Sequence, residues 1–390
     1  MYETTPTSWT DISLAHLFHA YRKAKADCFY ERTICIVERM AEYESSLSSN
    51  LQSLLGDLKS GHIDRVLSSN LGTPRIVAKK LSTTVKKEDQ PLPHDFFSSP
   101  DRAFARLKET HSLSAEFRLV GDFPVAMHVL SALWINMVGH KYDSVLSSSA
   151  YGSRVRRYGG STVSSMTGGG EYHIHAIGSF EPYFAPYKAW RSNGLSAIRA
   201  ELHAGNKVIA TTLDFASYFH RIDSQFMINR DFLRQCAIEL SEWELDFTAS
   251  FVKALQSWSE MAQSMLAASD HAESFGGIPI GLSLSRIISN VLLWSFDNDV
   301  LRGLSPIYYG RYVDDVFIVL RDPGNVSASS FLSYLSQRTS HFPPQQSEDG
   351  RIRLQLPQFV GDRTTVDLQP SKQKLFFLEG QTGLDLLGKL

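Results

Sequence analysis

IYYGRY (Ile307–Tyr312), VDD (Val313–Asp315) and VFIVL (Val316–Leu320) follow one another without a break. Both flanks are β-branched and aromatic, so the stretch predicts a hairpin with two carboxylates at its tip. Working outward, VIATTLDF (Val208–Phe215) has the composition of a central strand and ends on a third acid, Asp214. Asp214 and Asp314 are 100 residues apart, so only a fold that lays the two strands side by side unites them. Clustered carboxylates repel one another unless cations sit between them. Hard oxygen ligands of this kind suit Mg²⁺, which takes its remaining ligands from water and substrate phosphates. An isolated Asp-Asp, by contrast, is ordinarily only a turn favoured by side-chain hydrogen bonds.

Around this core the chain divides in two. Helix formers fill residues 11–60, where Leu47, Leu51, Leu54, Leu55 and Leu58 recur at helical spacing before Gly61, predicting two helices. Residues 71–100 are basic and lack periodicity (Arg75, Lys79, Lys80, Lys86, Lys87, then PLPHDFFSSP), which suggests loop and edge strand. Phe117–Val120 reads as a short strand. Pro124–Gly139 is the most apolar long stretch but falls short of the roughly 20 residues of a membrane span, so it predicts a buried helix. Residues 147–170, rich in Gly and Ser with Arg154, Arg156 and Arg157, suggest a mobile basic loop, either gripping phosphates or merely solvated. Beyond Asp214, residues 230–268 have helical period, GGIPIG (Gly276–Gly281) breaks the chain, and Leu284, Ile287, Ile288, Val291, Leu292 and Phe296 mark one helix face. KLFFLEG (Lys374–Gly380) is a last strand.

Composition excludes several classes. With 39 Lys+Arg against 41 Asp+Glu the net charge is −2, so any nucleic-acid partner depends on local basic patches. Cys28, Cys35 and Cys236 show no C-x-x-C spacing and leave an odd thiol, which fits a reducing cytoplasm. No signal peptide is visible at the N-terminus. P-loop, Rossmann and zincin motifs are missing, and His173 with His175 lacks further ligands at finger-like spacing.

The Asp pair between two strands, GGIPIG opening a helix, and Leu213-Asp214-Phe215 with Phe219 beyond it occur in an order and spacing that resembles the palm of reverse transcriptases. More narrowly, AYRKAK (Ala20–Lys25), FRLVGDFPVAMHVLSALWINMVGHKYD and AYGSRVRR resemble bacterial retron-like reverse transcriptases of antiphage defence, the abortive-infection and defence-associated groups. The resemblance implies an α+β right-hand polymerase. Its helical N-terminal region and fingers would span 1–205, and its palm of antiparallel sheet plus helices 206–390, with a helical fingers insert near 230–268. It also implies RNA-directed DNA synthesis from dNTPs in the cytoplasm, with two Mg²⁺ ions (Mn²⁺ as the alternative) and an RNA template or associated non-coding RNA.

Carried onto this chain, the resemblance makes Asp214, Asp314 and Asp315 metal ligands, with the Phe215 carbonyl completing one site. Phe219, five residues past Asp214, falls at the sugar-gate position, where a ring excludes a 2′-hydroxyl. Its alternative is core packing beside Tyr218. Arg118 is similar to the fingers arginine that holds the triphosphate, its fork matching phosphate oxygens, with a surface salt bridge as its alternative. Pro279 and Gly281 belong to the nucleotide-contacting turn, and Lys372 resembles the lysine near the departing pyrophosphate, with Lys374 a competitor. Two departures stand out. Ile280 replaces the glutamine of many templated members, which opens untemplated, protein-primed synthesis as an alternative. Only 18 residues follow Lys372, too few for a helical thumb, so either the chain is a fragment of something longer or a second copy, a structured RNA or a thumb-supplying partner is expected to complete the grip on the DNA product. A non-catalytic nucleic-acid scaffold is the alternative of another class, and three mutually repelling acids argue against it.

Overall fold

The computed structural model describes residues 6–85, 100–159, 170–267, 277–348, 350–369 and 372–387. Its architecture is α+β, helices with two antiparallel sheets. The N-terminal stretch makes three helices where two were expected: α1 (Leu14–Tyr30), α2 (Val37–Ser45) and α3 (Leu47–Lys59), with α4 (Ile63–Ser69) following. The extra break falls at Ser46 (φ −128°, ψ 35°). Around it the Ser45 hydroxyl donates to the Glu42 carbonyl and the Asn50 amide to the Tyr43 carbonyl, so polar side chains compete with the helical ladder. Leu51, Leu54 and Leu58 form the buried stripe of α3, and Gly61 (φ 77°) turns the chain out of it.

The stretch read as loop and edge strand holds β1 (Thr73–Val85), one edge of a two-stranded sheet, after which α5 (Pro100–Thr110) leads into β2 (His111–Asp122). These strands pair antiparallel as a two-stranded ribbon, bent by a register shift between Ala78 and Lys80. The short strand expected at Phe117–Val120 is therefore 12 residues long. Their full lengths were not legible because the ribbon buries so little: most of residues 112–117 are exposed, and without a buried face there is no apolar alternation to read. Lys86, Lys87 and residues 91–99 lie outside the described residues.

The apolar stretch is the buried helix its composition requires. α6 (Val125–Trp134) runs through a wider π turn, Ile135–Gly139, into α7 (His140–Ser144), with Leu130, Leu133, Trp134 and Ile135 fully buried. Residues 147–159 are not a mobile basic loop. Arg154 is wholly buried and donates to the Asp143 carboxylate at 2.9 Å and to the Asp143, Leu146, Ser147 and Ala150 carbonyls. Arg157 reaches the same carboxylate at 3.0 Å. A guanidinium carries enough donors to replace the missing secondary structure of such a segment, so these two arginines organise the chain and are not offered to phosphates. Residues 160–169 lie outside the described residues.

The second half begins with α8 (Phe184–His203) and β3 (Val208–Asp214), then α9 (Arg230–Gln235), α10 (Glu242–Ala267), α11 (Ser283–Leu292) and α12 (Trp294–Leu304). β4 (Tyr308–Tyr312), β5 (Asp315–Arg321), α13 (Phe331–Ser336), β6 (Lys374–Leu378) and α14 (Gly380–Leu387) complete it. The sheet has the order β4-β5-β3-β6, all antiparallel. Its strands alternate between two cores. Val208, Ala210, Phe317 and Val319 face Trp190, Ile198 and Leu202 of α8, while Ile209, Leu213, Val316 and Ile318 join the larger core. α8 lies close because Gly194 has no side chain; a Cβ there would stand 2.2 Å from the Phe317 ring. Cys28 and Cys236 are buried and Cys35 exposed, all three free. No helix among the described residues is long and apolar enough to cross a membrane.

Candidate active site

The β3–β5 ladder runs from Val208↔Arg321 to Asp214↔Asp315, so two acids distant in sequence become direct cross-strand partners at one end of the sheet. Asp315 is thus the first residue of β5, and Asp314 occupies the two-residue turn with Val313. Val313 takes φ 59°, a left-handed conformation that a β-branched residue resists, while Asp314 does not, the pattern of a type II′ hairpin. Three contacts hold this strained tip. Arg311, fully buried, donates to the Val313 carbonyl at 2.9 Å, and its other nitrogens reach the Asp297 carboxylate (2.7 and 2.6 Å) and Asn290. The Asn290 amide in turn donates to the Gly152 carbonyl at 2.6 Å. Gly152 packs so closely that a Cβ would lie 2.8 Å from the Val313 nitrogen.

Burial, and after it the charge of Asp214, pushes the Asp314 carboxyl up to about 6. Burial also raises Asp315, reinforced by Asp314 and Asp214. Asp314 and Asp315 therefore ionise less readily than free carboxyls. The nearest cation is the Lys372 ammonium, 2.9 Å from Asp214 Oδ2, and this hydrogen bond raises the lysine's own pKa. Among the described residues no three His, Cys, Asp or Glu side chains converge as an ion cage in this conformation. The donor set nevertheless fits Mg²⁺ or Mn²⁺ in kind: three carboxylates, of which Asp314 and Asp315 are protonated more readily than usual, with the Lys372 ammonium against Asp214. Asp214, Asp314 and Asp315 would hold such ions.

A cavity of about 940 Å³ gathers most of the residues singled out in the sequence: Arg118, Asp214, Phe215, Phe219, Asp314, Asp315 and Lys372 all line it. Arg118 arrives on β2, facing Val77 of β1. The Phe215 ring is buried between Tyr218 and Phe296, which makes its side chain a core element. Phe219 is half-buried, at once packed on the core and facing the cavity. The 277–281 turn is tied to both sides by backbone bonds, Ile278 N–H to the Phe219 carbonyl and Gly121 N–H to the Ile280 carbonyl. Gly277 and Gly281 are spacers, since a Cβ would meet the His220 backbone at 2.5 Å and Ile34 at 2.8 Å, and Gly281 has φ 103°. Pro279 is buried beneath, and Ile280 lines the cavity. Lys372 follows a turn in which its N–H donates to the Gln369 carbonyl, while the Gln369 N–H donates to the Asp214 carbonyl. Lys374 lines a second cavity that also reaches Asp214, Asp315 and Lys372, whereas Lys372 lines both.

Three cavity residues escaped the sequence reading. Arg286 on α11 pairs with Glu31 at 2.8 Å and stacks on Phe180, while Arg32 and Tyr183 meet across 151 residues. No motif spans such distances, and only the fold brings these groups together.

The pKa shift has a definite consequence. A folded state that binds the Asp314 proton more tightly than the unfolded chain gains stability below about pH 4 and loses it as pH rises through 6. In chelator-containing buffer, Asp314→Asn should therefore gain melting temperature over the unmodified chain between pH 4 and pH 7. The gain is on the order of 1–2 kcal/mol, because the cavity mouth admits water. Millimolar Mg²⁺ should narrow that gap at neutral pH and leave it unchanged near pH 4. A gap independent of pH would refute the electrostatic picture.

Compared with known proteins, the chain matches no protein-family model, and no curated protein matches it at a significant level.

Proposed function

We propose that the chain is an RNA-directed DNA polymerase of right-hand type, with the β3–β6 sheet as palm, the β1–β2 ribbon and N-terminal helices as fingers, and a role in antiphage defence. The observation that carries this reading is the cross-strand pairing of Asp214 with Asp315, with Asp314 on the adjoining tip, opening on a cavity that also holds Arg118, Phe219 and Lys372. Divalent ions held by the carboxylates would lower the pKa of an attacking 3′-hydroxyl and neutralise the triphosphate. The chain's own groups divide the remaining work. Arg118 offers a fork to phosphate oxygens, and Lys372, released from Asp214, meets the departing pyrophosphate. The strained turn keeps Asp314 aimed into the cavity. RNA is the proposed template, dNTPs the substrates and the cytoplasm the compartment.

Phe219 supplies a direct test. A ring that faces the cavity below Asp214 excludes a 2′-hydroxyl by overlap, so Phe219→Ala should admit ribonucleotides. The dNTP/rNTP ratio of kcat/KM should fall about tenfold or more, with a modest loss for dNTPs. A folded Phe219→Ala protein with an unchanged ratio would make this ring a core residue only.

One residue favours a second reading. Ile280 brings an apolar side chain to the cavity wall where a polar contact to nucleotide or template would help templating, which favours untemplated synthesis. Incubation with each labelled dNTP and a defined RNA, followed by sequencing of the products, separates the readings. Copies of the RNA support templated synthesis, random or homopolymeric tracts support the second reading, and no product under any condition rejects both in favour of a binding scaffold.

A further inference from the structure

The first turns of α8 present a face that the reaction just described does not use. Pro186, Trp190, Gly194, Ile198 and Leu202 are its buried stripe, turned to the sheet. On the opposite side Phe184, Tyr187, Lys188 and Arg191 recur at i, i+3, i+4 and i+7, all exposed, and Tyr183 extends the row at the helix cap. Phe184 is 61% exposed, Tyr183 49% and Tyr187 42%, a concentration of aromatic surface that a helix facing only water has no reason to carry. Acids are missing from residues 182–200, whereas Lys188, Arg191 and Arg199 are present, so a chain of net charge −2 carries a positive strip here.

The row is continuous with the carboxylates. The Tyr187 ring meets the Tyr312 ring edge-on at 5.2 Å, and Tyr312 is the cross-strand partner of Asp315. Tyr187 lines both cavities that open on Asp315. Arg32 donates to the Tyr183 hydroxyl at 3.0 Å with its guanidinium over that ring, which fixes the ring and adds another cation. From Phe184 to Arg191 the helix rises about 10 Å, roughly three times the ~3.4 Å spacing of stacked bases.

We propose that this face of α8 is a binding site for single-stranded nucleic acid, whose bases stack on Tyr183, Phe184 and Tyr187 while its phosphates lie against Lys188 and Arg191. Aromatic rings alternating with cations are what a strand of bases and phosphates requires. A second copy of the chain would set this positive strip against itself, and an apolar protein face would bury the exposed Lys188 ammonium. The inference rests on the polymerase reading only for the direction in which the strand end points, toward Asp315; binding itself needs no catalysis.

The test uses the full chain, a fluorescein-labelled oligothymidylate, chelator and no nucleotide, read by fluorescence anisotropy. Tyr183→Ala with Phe184→Ala removes two exposed rings, and Tyr187→Leu removes a third while keeping apolar contact with Trp190 and Tyr312. Each lost stack should raise Kd about tenfold. An abasic strand of equal length should bind weakly and be indifferent to these substitutions. Lys188→Gln with Arg191→Gln should flatten the slope of log K against log salt by about 1.4. Unchanged affinity in folded aromatic variants overturns the proposal, as does a change in oligomeric state without a change in oligonucleotide binding. Ring-dependent binding by a protein that never incorporates nucleotide upholds the site and rejects the polymerase; incorporation with ring-independent binding rejects the site alone.

Discussion

Asp314→Asn combined with Asp315→Asn is expected to abolish nucleotide incorporation, a fall of at least about a thousandfold, while the protein remains folded and becomes more stable without metal. The two effects have one cause. Asp314 and Asp315 hold their protons more tightly than ordinary carboxyls, first because they are buried and then because Asp214 and each other's charge lie close, with Lys372 bound to Asp214. Removing two charges relieves that repulsion, and it also removes the ligands through which divalent ions would act in phosphoryl transfer. Incorporation assays with labelled dNTPs read the first effect, and melting in chelator reads the second. Mg²⁺ should raise the melting temperature of the unmodified chain and leave that of the double variant unmoved. Full activity in the double variant would end the polymerase reading. Loss of activity accompanied by loss of stability would show the pair to be structural.

Arg311→Met is expected to be the most destabilising single change near the site. Arg311 and Asp297 are both buried, joined by two hydrogen bonds, and Tyr309 donates to the same carboxylate. Truncating the guanidinium leaves the Asp297 carboxylate buried without its cation, which costs about 3–5 kcal/mol. Denaturant unfolding measures it as a large drop in midpoint. Adding Asp297→Leu should restore most of that stability, because an apolar pair no longer strands a charge. It should not restore activity, since the Val313 carbonyl still lacks the donor that steadies its left-handed turn and Asp314 with it. A double variant that regained both stability and activity would mean that the turn holds itself. One that regained neither would mean that the core around α12 needs the ion pair for its packing.

The β-hairpin around Asp314, the strand ending at Asp214, the helix after GGIPIG and the buried helix over 124–139 were all legible in the chain. Each is a local pattern: β-branched runs stopped by acids, apolar residues at helical spacing, or a long apolar block that has to be covered. The same holds for the candidate carboxylates, since acids at strand ends are visible one at a time. Where local pattern carried no burial, the reading failed. The β1–β2 ribbon has too little buried face to impose alternation, and the serine-rich break between α2 and α3 turns on side-chain hydrogen bonds that spacing does not reveal. The arginines of 154–157 looked like a phosphate grip because charge in a Gly/Ser-rich stretch ordinarily faces water. Asp143 buries two of them instead, and that pairing exists only once α7 and the loop have folded together.

By itself, then, the sequence determined which residue types stand at the ends of strands and which helix faces are apolar, because those depend on neighbours a few residues away. Tertiary structure decided everything that depends on distance through space. It set the Asp214↔Asp315 register, which a one-residue slip would turn to the opposite face, and the left-handed Val313 held by a buried arginine. It set Lys372 against Asp214, and it brought the α8 aromatic row up to the carboxylates. Backbone pairing and burial act across 100 residues or more, and the free energy of bringing such segments together belongs to the folded core as a whole, not to any stretch that can be read alone.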